Sequence, residues 1–328
     1  HLTREEAFGA METIMSGKAT SAQIAAFLVG MHMKGETSQE IAGCAESMRK
    51  NALPVDLGAY ADAVDLVGTG GDGKHTFNIS TVSALVVAGA GAPVAKHGNR
   101  SVSSKCGSAD VLKELGVHLA LDNLQLGECL QETGIAFLFA PMLHPAMKHA
   151  IGPRREIGVR SVFNILGPIS NPANVKRQLI GVYDKSLLRL LAEVLQQLES
   201  EHVMLVHSED GMDEISLAGE TYVAELQEGQ IKEYQINPMS FGLKPFDASI
   251  SGGDIRENTA IALGILQGET GPARDIVLAN AAAGLYVAGR TEDLREGASL
   301  AANSIDSGAA MAKLEALRVF TENVSVPG

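Results

Sequence analysis

The sequence predicts an α/β chain in two parts: a small helical domain and a large α/β domain with a mainly parallel central sheet. Three observations carry that expectation. Residues 3–50 show helical period and no strand. From Ala63 onward, short apolar runs alternate with helical ones, the pattern of βαβ units. Residues 144–164 then interrupt the alternation with helical sequence that has no partner strand. The expected division is residues 1–61 plus about 144–172 for the discontinuous helical domain, and 62–143 plus 173–328 for the α/β domain.

Each element has its own local reason. Thr3 with Glu6 forms a capping-box pattern at the first helix. Ser21 opens a second, where Ile24, Phe27, Leu28 and Met31 recur at helical spacing. Thr37 with Glu40 is another box, backed by an apolar face of Ile41, Cys44, Ala45 and Met48; Asn51 and Pro54 end it. The α/β part begins with a strand over 64–67 and a helix over 80–90, ended by Gly91 and Pro93. A strand over 93–96, helices over 108–115 and 124–133, and an aromatic-rich strand over 135–140 follow. Residues 145–151 and 155–166 are expected as helices, with Gly167-Pro168 and Asn171-Pro172 in the loop after them. The alternation resumes with a strand over 178–182, a helix over 187–198 and a strand over 202–207. A hairpin turns at Glu228-Gly229, and 258–266, 273–288 and 294–320 are mainly helical.

Composition excludes several classes. Hydrophobic residues at 45% and charged residues at 20% fit a globular profile, and 328 residues suffice for about two domains. No uninterrupted apolar run of about 18 residues is present to span a membrane. A formal charge of -13 opposes nucleic-acid and anionic-membrane binding, yet leaves room for a local anion site. Cys44, Cys106 and Cys129 are far apart and odd in number, which predicts free thiols in a reducing, cytoplasmic setting and no zinc site. No signal peptide is evident, and the chain opens at His1 within a helical pattern, so residues are expected to precede it.

Chemistry concentrates at three predicted strand ends, where ligands bind in open α/β sheets. The first is Gly68-Thr69-Gly70-Gly71-Asp72-Gly73-Lys74, followed by Asn78-Ile79-Ser80-Thr81 at a helix start. Glycines let backbone N–H groups approach a phosphate, and a helix N-terminus adds unpaired donors; an ordinary glycine-rich turn is the competing reading. The second is Lys96-His97-Gly98-Asn99-Arg100-Ser101-Val102-Ser103-Ser104, with Lys105 and Ser108 just after. It gathers cations and hydroxyls in an acidic protein; a solvated basic loop competes with it. The third is Asp213-Glu214, a carboxylate pair suited to Mg²⁺, which takes one or two carboxylates plus substrate phosphates. Alone, such a pair is more often a surface dipeptide. Together the clusters describe a reaction with a phosphate leaving group, held by donors and cations and neutralised by Mg²⁺. Gly68 to Gly73 literally spells G-x-G-x-x-G, but Asp72, Lys74 and His75 stand where a dinucleotide-binding helix would begin packing. Neither a P-loop nor a G-x-S-x-G elbow occurs.

In this order and spacing, Gly68-Thr69-Gly70-Gly71-Asp72, Asn78-Ile79-Ser80-Thr81, Lys96-His97-Gly98-Asn99-Arg100 and Asp213-Glu214 resemble the anthranilate phosphoribosyltransferase family over nearly the whole chain. The resemblance implies a nucleoside phosphorylase/phosphoribosyltransferase-like fold and a cytoplasmic homodimer with its active site in the cleft between domains. It implies transfer of the phosphoribosyl group of phosphoribosyl pyrophosphate to the anthranilate amine, releasing pyrophosphate, in tryptophan biosynthesis. Association with anthranilate synthase is left open. By matching motif, Gly68, Gly71 and Asp72 would line the pyrophosphate and reaction centre. Thr76, Asn78, Ile79, Ser80, Thr81 and Lys96 would hold phosphoribosyl pyrophosphate. The segment His97, Gly98, Asn99, Arg100, Ser101, Val102, Ser103 and Ser104, with Ser108, would close over it. Gly68, Asn99 and Arg154 would contact anthranilate, Arg154 through the carboxylate. Ser80, Asp213 and Glu214 would bind two Mg²⁺ ions. At its start the chain departs from the family, whose first helix is longer.

An aromatic amine keeps its proton until attack begins, so a strong base is not required, and catalysis would be mainly positioning and leaving-group stabilisation. His97 is read as orienting backbone more than as taking the proton. His144 either faces anthranilate or packs. Two rivals are a pyrimidine nucleoside phosphorylase-like enzyme, whose glycine loop carries a different pattern, and a nucleic-acid-binding relative, which the charge and the intact carboxylate pair oppose.

Overall fold

A computed structural model describes residues 1–100, 106–246 and 250–325. The chain opens with α1 (Arg4–Met15), α2 (Ser21–Lys34) and α3 (Ser38–Lys50). Then come β1 (Val64–Gly68), α4 (Ile79–Gly89), β2 (Val94–Gly98), α5 (Ser108–Glu114), α6 (Asn123–Thr133) and β3 (Ile135–Phe139). Next are α7 (Ala140–Leu143), a 3₁₀ turn (Pro145–Met147), α8 (Lys148–Ile157) and α9 (Phe163–Ile169). The sheet resumes with β4 (Arg177–Gly181), α10 (Leu187–Gln197), β5 (His202–Ser208), β6 (Thr221–Gln227) and β7 (Gln230–Ile236). After a second 3₁₀ turn (Pro238–Phe241), α11 (Ile255–Leu266), α12 (Pro272–Val287), α13 (Leu294–Asp306) and α14 (Ala309–Ser325) complete the chain.

The seven strands form one sheet in the order β3-β2-β1-β4-β5-β6-β7. The first five are parallel, and β6 and β7 add an antiparallel edge. From β1 the chain builds outward through β2 to β3, then returns to the other side of β1 for β4 and β5. The order therefore reverses between β1 and β4, where open α/β sheets bind ligands at their carboxyl ends. There Gly68 is level with Gly181.

Parallel strands are buried on both faces, and the two faces carry different cores. Leu66, Leu179, Met204 and Val206 join α4, α12, α13 and α14 in one cluster. Ile180, Val182, Val203 and Leu205 turn the other way and pack with α1, α3, α9 and α10 in the second. Alternate residues of β4 and β5 thus belong to different cores, as period-two geometry demands. The second cluster brings residues of α8 and α9 onto the N-terminal helices, Ala150, Phe163 and Leu166 among them.

The boxes at Thr3–Glu6 and Thr37–Glu40 form in full. The second helix is capped by Thr20 with Gln23, one residue before the expected Ser21. Four spans differ from expectation. Residues 145–147 make a 3₁₀ turn, and α8 runs from Lys148 through Pro153. The helix expected over 155–166 is broken: α8 ends at left-handed Gly158, and α9 starts afresh at Phe163. Gly167-Pro168, expected in a loop, lies inside α9. The long C-terminal helix is two, separated at Ser307 and Gly308.

Candidate active site

The site starts from a charge inside β1. Asp65 is fully buried, and its carboxylate accepts from the His97 amide (3.0 Å), Asn171 Nδ2 (2.9 Å) and Gln178 Nε2 (3.4 Å). Burial pushes its pKa up to about 6, against the pull of nearby Lys96. Asn171 Nδ2 also donates to the Ala95 carbonyl (2.9 Å), and Gln178 Nε2 to that of Pro168 (2.9 Å). One carboxylate therefore ties the glycine-loop strand, the strand before the second cluster and the return from α9 into one frame. The Lys96 ammonium is buried in that frame, donating to the Leu66 carbonyl and to Ser80 Oγ (3.3 Å).

At the end of β1 the chain turns through Gly70, Gly71 and Gly73, all left-handed. Such a run aims successive N–H groups into one concavity, a ready anion cradle. Among the described residues, the amides of Gly71, Asp72 and Gly73 have no protein acceptor. The Gly70 amide donates to Asp213 Oδ2 (2.7 Å), and the Asp213 amide to Asp72 Oδ2 (3.4 Å). Room for Asp213 comes from two missing side chains. A Cβ at Gly68 would stand 2.7 Å from its Oδ2, and one at Gly181 would overlap its carbonyl at 1.5 Å.

The helix start supplies the neighbouring wall. Asn78 makes no capping bond. Its side chain instead donates to the Cys106 carbonyl (3.4 Å) and accepts from Asn258 (3.5 Å). Glu214 lies near the start of α4, where the Ser80 backbone favours its charged form. An uncapped helix start thus faces a carboxylate, the pairing its dipole favours. Burial and the Asp213 charge hold the Glu214 pKa well above the carboxylate range, with Lys96 opposing. Burial, then the Asp72 charge, push the Asp213 carboxyl up to about 7. Burial also lowers the Lys96 pKa, against the attraction of Asp65 and Glu214. Crowded carboxylates of raised pKa mark a place that gains from a cation. Among the described residues no three His, Cys, Asp or Glu side chains form a ready metal cage. The pair Asp213–Glu214 instead fits a hard cation that takes its remaining ligands from phosphate and water.

On the side of the helices, His97 Nδ1 lies 3.2 Å from the Gly167 carbonyl, and the His97 and His144 rings are 5.2 Å apart. Both rings are buried, and among the described residues Nε2 of each has no hydrogen-bond partner. Burial above all drives His97 down to about 3 and His144 to about 4, so both are neutral at pH 7. Arg154 is half-buried with its guanidinium 5.8 Å from the Phe163 ring centroid, and burial lowers its pKa. Among the described residues no carboxylate pairs with it.

The fold therefore brings Gly68, Gly71, Asp72, Ser80, Lys96, Asp213 and Glu214 together from all three sequence clusters. Thr76 is bridged to Ser251. Other expected residues serve the frame. Ile79 is buried in the core and its amide donates to the Phe77 carbonyl (2.7 Å). The Thr81 hydroxyl is buried without a partner. Gly98 ends β2 against the Phe137 ring, and the Asn99 carbonyl accepts from Ser108 Oγ (3.1 Å). Arg100 lies over the Phe139 ring at 5.8 Å. Ser101, Val102, Ser103, Ser104 and Lys105 lie outside the described residues. No contact among the described residues joins Asn99 or Arg154 to the carboxylates.

Two features escape sequence reading. Asp65 had one local signal, an acid inside an apolar strand. Arg160 had none: it sits in the loop between α8 and α9, donates to the Gly71 carbonyl (2.6 Å), and stacks on Tyr183 at 4.0 Å.

Comparison with known proteins places the chain in a family. Residues 60–311 match the model of the glycosyl transferase family, a/b domain, and residues 1–52 that of its helical bundle domain. An anthranilate phosphoribosyltransferase of Pelotomaculum thermopropionicum is 53% identical over 326 residues, 99% of this chain and 94% of its own. The chain belongs to the anthranilate phosphoribosyltransferase family. Another member, from Moorella thermoacetica, is 51% identical over 98% of the chain and 95% of its own. The crystal structure of the Thermus thermophilus anthranilate phosphoribosyltransferase superposes with a TM-score of 0.93 at 42% identity, covering 98% of this chain and 96% of that one. The anthranilate phosphoribosyltransferase of Saccharomyces cerevisiae, solved with phosphoribosyl pyrophosphate and Mg, gives 0.90 at 28% identity, covering 98% and 94%. The helical-plus-α/β architecture and the glycosyltransferase class expected from the sequence are those of this anthranilate phosphoribosyltransferase family.

Proposed function

We propose that the chain transfers the phosphoribosyl group of phosphoribosyl pyrophosphate to the anthranilate amine and releases pyrophosphate, the reaction of its family in tryptophan biosynthesis. The observation that carries this reading is the cradle of Gly71, Asp72 and Gly73 amides beside the Asp213–Glu214 pair. Donors for a diphosphate and acceptors for its counter-cation stand in one place. Asp213, Glu214 and Ser80 would hold Mg²⁺, two ions in the proposed site. When bound, Mg²⁺ supplies neutralisation of the pyrophosphate leaving group.

The protein's own residues do the rest by position and electrostatics. The free amides hold the diphosphate, and the uncapped start of α4 adds its dipole to the same side. Departure of pyrophosphate leaves oxocarbenium character at the sugar carbon, and the aromatic amine attacks from the opposite face. Arg154, unpaired and half-buried, orients anthranilate through its carboxylate, with Asn99 and Gly68 beside the ring. His97 is neutral and its Nδ1–H donates to the Gly167 carbonyl, which leaves a lone pair at Nε2; His144 is neutral beside it. Lys96, locked into the frame, contributes its charge from below. Asn99, Arg100 and Ser108, which follow β2, would contribute to holding the diphosphate; Ser101 to Ser104, expected to do so too, lie outside the described residues. The saccharide-type transfer proceeds in a cytoplasmic homodimer whose helical part is residues 1–61 with about 144–172. Among the described residues no helix is long and apolar enough to cross a membrane.

The reading is tested by pyrophosphate release. With both substrates and Mg²⁺, one pyrophosphate should appear per anthranilate consumed. Release that ignores anthranilate, or that needs a nucleoside and inorganic phosphate instead, would assign the site to another reaction.

A further inference from the structure

The loop between α8 and α9 reaches across to the glycine loop through Arg160. Its Nη2 donates to the Gly71 carbonyl at 2.6 Å. Its guanidinium lies 4.0 Å from the Tyr183 ring centroid. Tyr183 is itself fixed, because its amide donates to Thr69 Oγ1 (3.0 Å) in the glycine loop. One planar cation is therefore held by a stack on one side and reads a single carbonyl on the other, a geometry an ammonium does not reproduce.

That carbonyl matters because of what lies behind it. Among the described residues no peptide bond is cis, so the Asp72 N–H points away from the Gly71 carbonyl. Gly71 has φ +77, and with no Cβ it permits the Gly71–Asp72 peptide to rotate at little cost. Left free, the peptide would present its oxygen to an anion as easily as its N–H. Arg160 removes that freedom by holding the oxygen outward. The Asp72 N–H, which has no acceptor among the described residues, then faces the cradle with those of Gly71 and Gly73.

We infer that Arg160 is a positioning residue: it sets the Gly71–Asp72 peptide for pyrophosphate and ties that setting to the loop between α8 and α9. The inference rests on the proposed reaction for its substrate but not for its geometry. Pyrophosphate with Mg²⁺, titrated calorimetrically, reads the cradle without turnover. Arg160→Ala should weaken that binding about tenfold, the worth of one charge-assisted hydrogen bond at a partly exposed site. Its KM for phosphoribosyl pyrophosphate should rise by a similar factor, with KM for anthranilate and melting temperature unchanged. Arg160→Lys should recover only part of the loss. Tyr183→Leu, which removes the stack and leaves the donor, should shift pyrophosphate affinity in the same direction by less, and serves alone if Arg160→Ala does not fold. Unchanged pyrophosphate affinity in both variants would overturn the inference. So would a rise in the anthranilate KM alone, which would make Arg160 a ligand of that substrate. A wild-type protein that binds pyrophosphate through Arg160 but consumes no anthranilate would uphold the inference and overturn the proposed reaction.

Discussion

Asp213 occupies the space that a side chain on Gly68 would fill: its Oδ2 lies 2.7 Å from where that Cβ would be, and the same oxygen accepts the Gly70 amide at 2.7 Å. The glycine loop is thus clamped from above by a carboxylate. The end of β1 is glycine as much for this close approach as for any turn.

Gly68→Ala and Gly181→Ala should therefore differ. At Gly68 the new methyl meets the far end of the Asp213 side chain, which can rotate away. That variant should fold, melt within a few degrees of the parent, and lose about tenfold or more in kcat/KM as the carboxylate is displaced. At Gly181 the methyl meets the Asp213 backbone carbonyl at 1.5 Å, which cannot yield without moving the segment. That variant should show a large drop in melting temperature.

Arg154→Ala tests the other substrate. A half-buried guanidinium whose pKa is lowered by burial, and which has no carboxylate partner among the described residues, suits an anionic ligand. The variant should raise KM for anthranilate at least about tenfold, as loss of a charged hydrogen-bond partner does. KM for phosphoribosyl pyrophosphate should be unchanged, and the reverse pattern would refute the assignment.

How far the sequence revealed this site depended on how local each cause is. The boxes at Thr3–Glu6 and Thr37–Glu40 were legible because cap and partner are three residues apart. The strand-loop-helix from Val64 to Thr81 was legible for the same reason. The break after α8 was misread: the gap expected between 151 and 155 lies inside α8, which accommodates Pro153 and stops at Gly158. Ile79 lay within a ligand-binding motif, yet its position at the start of α4 turns its side chain into the core. Asp213 was legible as half of a pair, but its place over Gly68 needed the strand order that sets β1 beside β4. Arg160 acts on a carbonyl 89 positions away and left no trace in the sequence pattern.

The histidine pair makes a prediction about pH. His144 falls to about 4 in the folded chain from an unfolded value of about 6.5. Above pH 6.5 both states are neutral and the group contributes nothing to pH dependence. Between about 6.5 and about 4 the unfolded state takes up a proton that the folded state refuses, so stability falls with falling pH, by on the order of 3 kcal/mol in all. Denaturant unfolding of His144→Asn should show a shallower loss across that window. An unchanged slope would mean that the ring protonates freely in the fold. Between pH 7 and 8, neither His97 nor His144 should introduce a titration into the rate.

The carboxylate pair predicts how the metal requirement responds. Asp213→Asn and Glu214→Gln each remove one anionic ligand while keeping the shape, so each should shift half-saturation by Mg²⁺ to higher concentration. Each should also lower kcat, because the leaving group is then less well neutralised. A Mg²⁺ dependence identical to that of the parent would make the pair a structural feature of the loop.

The central claim is that three amides without a described acceptor and two carboxylates at the β1–β4 switch hold the diphosphate that is released as the phosphoribosyl group passes to anthranilate. The most direct measurement is anthranilate fluorescence in the presence of purified protein and Mg²⁺. Adding phosphoribosyl pyrophosphate should abolish the signal in proportion to the limiting substrate, and omitting Mg²⁺ should prevent it. A fluorescence trace that stays level with all three components present would contradict the account.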